Sequence, residues 1–215
     1  MDTKATSDRL VGILDFLLLL DRFKTIERKG YVADASRRET DAEHTWHMAM
    51  FVLLLHGEIG FEADLGHTLC LVLVHDLVEI HAGDTYAYDD AGRLDQEERE
   101  RAAAERLFGE LPPDLGRRLE SWWLEFEAAE TPEARFAKAV DRLQGFAQNC
   151  LSGGRAWREN GIGRERTRLR TDLPSAVDPV LKRLVDELYA RADEAGLWPA
   201  PLRPVPPRPA PKPGT

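Results

Sequence analysis

Residues 69–81 read LCLVLVHDLVEIH, which is the most apolar stretch of the chain. The stretch predicts a helix over residues 64–81 that is apolar almost all round and is therefore central and buried. His75, Asp76 and Glu79 interrupt this pattern. Because unpaired charge is expensive in an apolar interior, these three side chains are the ones that need an explanation.

A metal site is the simplest explanation, because His44 and Asp141 also fall inside apolar helical patterns. A helix turns about 100° per residue, so His75 and Asp76 project from neighbouring positions. Two imidazoles and two carboxylates form a ligand set for one divalent metal ion. Nitrogen and oxygen ligands without cysteine suit Mn, Fe, Co, Ni or Zn, and Mg remains a candidate. Any one of these residues alone would more often be an ordinary core or surface side chain, but the four together favour a metal.

The other patterns predict an all-α protein, because no stretch shows the sustained alternation of a half-buried strand. Helices are predicted over residues 8–22, from 41 with Thr40 or Asp41 as the cap, over 95–109, from 113, from 132 and over 177–195. Residues 83–93 are predicted to form a loop. The first helix is expected to bury Leu10, Ile13, Leu14, Leu17 and Leu18.

Composition indicates one soluble domain with a small-molecule partner. The chain has 215 residues, 43% of them apolar, which is enough for a folded core. We expect a single domain over residues 1–198 and a proline-rich, disordered tail over residues 199–215. The formal net charge of -9 argues against nucleic acid as a partner.

No membrane segment is expected, because Asp15 and Asp21 bracket the leucine run at residues 17–20. The predicted location is the cytoplasm. Cys70 and Cys150 are therefore expected to be reduced.

Four short motifs together resemble those of the HD-domain phosphohydrolases, particularly the branch that includes 5'-deoxynucleotidases. They are Glu43-His44, residues 74–79 (VHDLVE), Gly83-Asp84 and residues 138–141 (KAVD), within a match over residues 14–149. The resemblance implies an all-helical HD-domain bundle that often forms a homodimer. It also implies that His44, His75, Asp76 and Asp141 bind the metal and that Glu79 and Asp84 lie beside the reacting phosphate. Only His81 lies between the His-Asp pair and Asp141, which favours one metal over two.

Hydrolysis of a phosphate monoester also needs a positive clamp on the phosphate. The resembled nucleotidases place a phosphate-contacting arginine at the position of Arg22, followed by a tryptophan that helps to exclude ribose. Here Phe23 replaces that tryptophan, and the loop after Gly83-Asp84 lacks the family's proline. The predicted substrate-binding residues are Arg22, Phe23, Lys24, Arg37 and Arg38. In the loop, Tyr86 and Tyr88 offer rings on which a base could stack.

The sequence thus predicts a divalent-metal-dependent phosphomonoester hydrolase that converts nucleoside 5'-monophosphates, preferably deoxy, to nucleoside and phosphate. Both departures from the family pattern lie where the family contacts its substrate. The resemblance therefore supports the reaction class more strongly than it supports the preference for deoxyribose. Two alternatives stay open. One is a phosphatase for another small phosphorylated metabolite, and the other is a non-catalytic, metal-stabilised helical module whose tail binds partners.

Overall fold

A computed structural model describes residues 3–200 of the chain. A short 3-10 helix, Leu20–Thr25, and a hairpin of β1 (Glu27–Tyr31) and β2 (Arg38–Thr40) follow the first of ten helices. The helices are α1 (Thr3–Leu19), α2 (Asp41–Leu55), α3 (Leu65–Val74), α4 (Glu79–Ala82), α5 (Gln96–Gly109), α6 (Pro113–Ala128), α7 (Pro132–Leu151), α8 (Arg155–Glu159), α9 (Arg164–Val177) and α10 (Pro179–Glu194). The predicted helical bundle is confirmed. Most of the predicted tail, residues 201–215, lies outside the described residues.

Helix α7 is the central element of the bundle. Its buried face carries Phe136, Val140 and Leu143 and packs against α2, α3, α9 and α10. A second apolar cluster, around Leu107 and Trp123, joins α4, α5 and α6. The cleft described below is lined by residues from β1, α4, α5, α6, α7 and α9, so this packing fixes the positions of its walls.

The β-hairpin was missed by the sequence analysis, which found no strand. Its strands are antiparallel, with Glu27 opposite Thr40 and Tyr31 opposite Arg38. Two glutamines of α7 hold it in place: Gln148 Nε2 donates to the carbonyl of Tyr31 at 2.7 Å, and Gln144 Nε2 donates to Glu39 at 3.0 Å. The hairpin is therefore tied to the face of α7 that also carries Asp141.

Thr40 ends β2 and caps α2, as the sequence predicted. Its side chain accepts a hydrogen bond from the backbone N–H of Glu43, and the Glu43 carboxylate accepts one from the backbone N–H of Thr40. This capping box fixes the first turn of α2. His44, in that turn, is consequently held at the junction of the hairpin and the helix.

The predicted continuous helix over residues 64–81 is wrong, because α3 ends at Val74 and α4 begins only at Glu79. Between them the backbone forms tight bonds three residues apart, from Leu77 N–H to the Val74 carbonyl and from Glu79 N–H to the Asp76 carbonyl. Bonds of this kind tighten the chain relative to an α-helix. The stretch 65–82 is long and apolar enough by composition to cross a membrane, but half of it is buried inside this fold.

The predicted burial of the leucines on the first helix is also wrong. Leu10, Leu14, Leu17 and Leu18 are 54 to 65% exposed, and Phe16 is the residue of this helix that enters the core. The described part of the chain has nothing that covers this apolar face. At the other end of the chain, no helix was predicted for α8 and α9, and the last helix begins after its cap at Asp178 rather than at Val177.

Candidate metal centre and active-site cleft

A cleft of about 800 Å³ opens between the hairpin, the loop after α4 and the inner face of α7. Three of the four predicted metal ligands, His75, Asp76 and Asp141, line it, and the fourth, His44, lies buried directly behind them. The fold therefore brings together residues that are up to 97 positions apart in sequence, from Asp141 to His44.

The two imidazoles are oriented by hydrogen bonds from the ring nitrogen that faces away from the cleft. His75 Nδ1 lies 2.8 Å from the carbonyl oxygen of Val72, and His44 Nδ1 lies 2.5 Å from Gln144 Oε1. Because a carbonyl oxygen only accepts, each Nδ1 carries the proton and donates it. Each Nε2 is then the nitrogen left for a metal ion or a second proton, and both are buried without a hydrogen-bond partner.

The Nε2 atoms of His44 and His75 face carboxylates. His44 Nε2 is 3.3 Å from Asp141 Oδ1, and His75 Nε2 is 2.9 Å from Asp76 Oδ2. One donor atom each from His44, His75 and Asp141 lies within 4.8 Å of the others. A nitrogen lone pair beside a carboxylate is unfavourable unless a proton or a cation lies between them. Although burial opposes it, the carboxylates of Asp76 and Asp141 raise the pKa of His75, and a divalent cation could replace the proton and satisfy all four groups. The donor set thus fits a metal bound through nitrogen and oxygen.

The charge state of the two carboxylates agrees with that reading. Burial on its own would raise the pKa of Asp76 and Asp141, but the adjacent imidazoles and guanidinium groups hold each pKa below its usual value. For Asp76 the main opposing group is His75, and for Asp141 the groups are His44 and Arg170. Both aspartates are therefore ionised, as metal ligands must be.

Arg28 supplies the positive charge beside this set, and the sequence analysis missed it. Its Nη1 is 2.8 Å from Asp76 Oδ2, 3.1 Å from Asp41 Oδ1 and 4.0 Å from Asp84 Oδ1. The signal available in the sequence was weak, because Arg28 lies between two other charged residues of β1. Gly83, which has a φ of 75°, turns the chain after α4 so that Asp84 reaches the same place.

Asp41, Glu79 and Asp84 form a second acidic cluster, with donor atoms within 4.8 Å of one another. Burial, together with the negative charge of Asp76 and the neighbouring Asp41, raises the pKa of Glu79 well above its usual value. Burial likewise raises the pKa of Asp84 to about 6. Glu79 therefore takes up a proton more readily than a free glutamate does, next to Asp41, whereas Asp84 is mostly ionised at neutral pH.

The five residues that were predicted to bind substrate do not line the cleft. Phe23 is buried in the second apolar cluster, and Arg22 is on the surface. Lys24 pairs with Asp21 at 2.5 Å, and Arg37 pairs with Glu43. Arg38 stacks over the ring of Tyr31 and pairs with Glu159. In contrast, Tyr86 and Tyr88 do line the cleft, with ring centroids 5.4 Å apart.

Comparison with known proteins places this geometry in a family. Residues 20–177 match the model of the HD domain. The chain is 30% identical to the 5'-deoxynucleotidase HDDC2 of Bos taurus over 64% of this chain and 66% of that protein. It is 28% identical to the 5'-deoxynucleotidase hdd1 of Schizosaccharomyces pombe over 64% and 71%. The matched region thus spans about two thirds of these relatives.

A solved structure is similar over nearly the whole chain. It is described as a "Predicted metal-dependent phosphohydrolase" from Magnetospirillum magnetotacticum. It has a TM-score of 0.83 and 40% sequence identity, with coverage of 89% of this chain and 96% of that one. The PH0347 protein of Pyrococcus horikoshii shares the fold, with a TM-score of 0.59 at 19% identity.

We expect Mn²⁺ or Co²⁺ to raise the melting temperature of the protein, because a ligand of the native state stabilises it. Asp141→Asn replaces an ionised ligand with a neutral amide of the same shape, and should lower metal affinity by more than about 10-fold, since even the loss of an outer partner of a ligand costs about 10- to 100-fold. Thermal melts at increasing metal concentration measure the metal affinity of the wild type and of the variant. Asp172→Asn, at an exposed aspartate of α9, is the matched control. An unchanged metal response in Asp141→Asn would remove Asp141 from the ligand set.

Proposed function

This chain belongs to the HD-domain family, and we propose that it is a divalent-metal-dependent phosphomonoesterase that converts 2'-deoxynucleoside 5'-monophosphates to nucleoside and phosphate. The observation that carries the proposal is the convergence of two imidazole nitrogens without hydrogen-bond partners, two ionised aspartates, the guanidinium of Arg28 and a glutamate with a raised pKa at a single end of the cleft. The substrate class is supported by the activity for which the matched relatives are named.

His44, His75, Asp76 and Asp141 would hold the cation. A bound cation of this kind lowers the pKa of a coordinated water and polarises a phosphoryl oxygen. The chain keeps these ligands in place from behind. Gln144 accepts from His44 and donates to Glu39, so its amide has one orientation that satisfies both neighbours, and that orientation fixes the tautomer of His44.

Arg28 is the group that binds the phosphate. Its guanidinium lies in the cleft wall beside Asp76, and arginine binds phosphate oxygens in pairs of parallel hydrogen bonds. A dianionic phosphate would be repelled by five nearby carboxyl groups if all were charged and uncompensated. Protonation of Glu79, which its raised pKa favours, and the charge of a bound cation would reduce that repulsion, so the same features that admit the phosphate would also prepare it for attack.

Glu79 is placed to act as the general acid. In the hydrolysis, a water oxygen forms a bond to phosphorus, and the bond between phosphorus and the 5'-oxygen breaks. The 5'-oxygen needs a proton as it leaves, and the raised pKa of Glu79 suits this carboxyl group to carry and deliver one. Asp84, mostly ionised at neutral pH, is placed to orient the attacking water and to take its proton.

The central test is phosphate release from deoxy- and ribonucleoside 5'-monophosphates by protein that has been chelated and reloaded with Mn, Co, Fe, Mg, Ni or Zn. Release should require metal and should be faster for deoxynucleotides. In the same assay, Glu79→Gln should lower kcat by about 10²- to 10⁴-fold, the usual contribution of a general acid, without changing metal affinity.

The control for that variant is Glu100→Gln, which removes another carboxyl group of the cleft wall that lies outside the acidic cluster. It should retain activity. A Glu79→Gln protein that turns over at the normal rate would show that the leaving group is protonated from elsewhere. An inactive wild-type protein with metal bound would favour the non-catalytic module instead.

Two variants test which arginine binds the phosphate: Arg22, which the sequence predicted, or Arg28, which lies in the cleft wall. Arg28→Ala should lower kcat/KM by about 10²-fold or more, because it removes a preorganised donor at the site of developing charge. Arg22→Ala should change kcat/KM by less than about twofold, as expected for a surface position. Steady-state kinetics on a deoxynucleoside monophosphate measure both. The reverse ranking of the two variants would restore Arg22 as the phosphate ligand.

We propose further that the protein is a homodimer and that the apolar face of α1 is covered by a second copy. Leu10, Leu14, Leu17 and Leu18 form one exposed stripe with a spacing of four, three and one residues, and contiguous exposed apolar patches mark association sites. Leu14→Glu combined with Leu18→Glu should give a folded monomer, measured by light scattering after size exclusion. A wild-type monomer, or a double variant that stays dimeric, would refute this assignment.

A further inference from the structure

The cleft continues beyond the metal ligands along α7. Asp141, Gly145 and Asn149 are spaced four residues apart, which puts them on one face of the helix, and all three line the cleft. A helix rises about 1.5 Å per residue, so Asn149 lies about 12 Å from Asp141 along this face. That distance suits an extended nucleotide with its phosphate at the metal end. Gly30 and Tyr86 line the same cleft.

Gly145 opens the floor of the arm. It lies inside the 20-residue helix α7, where a Cβ would meet nothing within 4 Å. Glycine in a helix interior is less stable than alanine, and here alanine would fit. Packing therefore gives no reason for the missing side chain. Its effect is to leave bare backbone at this point of the cleft lining, where a planar ring can approach it.

Asn149 presents a free acceptor at the far end of the arm. Its Nδ2 donates to the backbone carbonyl of Gly145 at 2.8 Å. Since a carbonyl only accepts, this bond fixes the orientation of the amide, and Oδ1 is the atom left over. Asn149 Oδ1 is buried without a hydrogen-bond partner, and so is the hydroxyl of Tyr86. Unpaired buried polar atoms are costly, and a ligand with an N–H group would satisfy them.

The other arm of the cleft, between α5 and α6, has a different character. Its charged side chains and Gln96 are already paired, with one another or with Lys138 of α7, and Trp123 offers a buried unpaired N–H rather than an acceptor. The pairs are Lys138 with Glu127, Arg101 with Glu97, and Gln96 with Glu100. Because that arm lacks free acceptors among these groups, the arm along α7 is the better site for a hydrogen-bonding ring.

We propose that Gly145, Asn149 and Tyr86 form a nucleobase subsite. The base lies over Gly145, one of its N–H groups donates to Asn149 Oδ1, and the Tyr86 hydroxyl pairs with the same edge. Every standard base carries an N–H donor on its pairing edge, so the subsite distinguishes nucleotides from phosphomonoesters that have no base. The identity of the ligand as a nucleotide rests on the proposed function.

Binding of analogues that cannot be hydrolysed tests the subsite without relying on turnover. The probes are dAMP and 2-deoxyribose 5-phosphate, each with a methylene group in place of the bridging phosphate oxygen, titrated calorimetrically into the metal-loaded full chain. The wild type should bind the nucleotide analogue at least about 10-fold more tightly than the sugar analogue, as one well-placed hydrogen bond and ring contact provide.

Gly145→Leu and Asn149→Leu should each remove most of that difference while leaving the affinity for the sugar analogue within about twofold. Gly109→Leu is the matched control, because Gly109 is also helical and also has open space at its Cβ, but lies outside the cleft. Thermal melts check folding. If Gly145→Leu does not fold, Asn149→Leu decides the matter, since it leaves the floor unchanged.

Two results would overturn the subsite. One is equal affinity of the wild type for both analogues, and the other is an unchanged preference in Asn149→Leu. Either result is compatible with metal-dependent phosphate release from nucleotides, so the proposed function would survive it. Failure of both analogues to bind would instead overturn the function and the subsite together.

Discussion

The structure depends on holding five carboxyl groups close together at one end of a partly buried cleft. These are Asp41, Asp76, Glu79, Asp84 and Asp141. Like charges repel strongly where water is scarce, so each needs a compensating partner. Arg28 lies near three of them, the raised pKa of Glu79 favours its neutral form, and the two imidazoles lie beside Asp76 and Asp141. This balance of charge ties β1, α2, α4 and α7 together at the point where the apolar core ends.

Hydrogen bonds made by two glutamines of α7 connect this group of charged residues to the hairpin. Gln144 contacts both His44 and Glu39, and Gln148 holds the carbonyl of Tyr31. An amide flip at Gln144 would set an N–H group against the Nδ1–H of His44 and an oxygen against a carboxylate. The orientation of His44 is therefore linked to the position of β1, and β1 carries Arg28. One face of one helix thus fixes both the positions of the predicted metal ligands and that of the arginine proposed to bind phosphate.

The sequence was sufficient to single out the four predicted metal ligands, because each is a titratable group at a position where the pattern demands an apolar one. That mismatch is visible locally. Arg28 gives no such signal, since β1 reads ERKGY, and its partners Asp41 and Asp76 lie 13 and 48 residues away. For the leucines of α1 the signal was present, but the burial predicted from it was wrong. Their spacing indicates an apolar face, but nothing in the spacing says whether the same chain or another one covers it.

The break between α3 and α4 shows why periodicity could not give the finer geometry of the site. In a continuous helix, Glu79 would lie one turn beyond His75 and Asp76 on the same face. The tight turns over residues 75–78 keep the apolar residues buried just as well, so the hydrophobic pattern is identical for both backbones. The turn, however, lets His75 and Asp76 face α2 and α7 while Glu79 meets Asp41. The backbone therefore determines how the predicted ligands His75 and Asp76 are placed relative to Glu79. The apolar pattern does not determine it, because Val74, Leu77, Val78 and Ile80 could be buried by either backbone conformation.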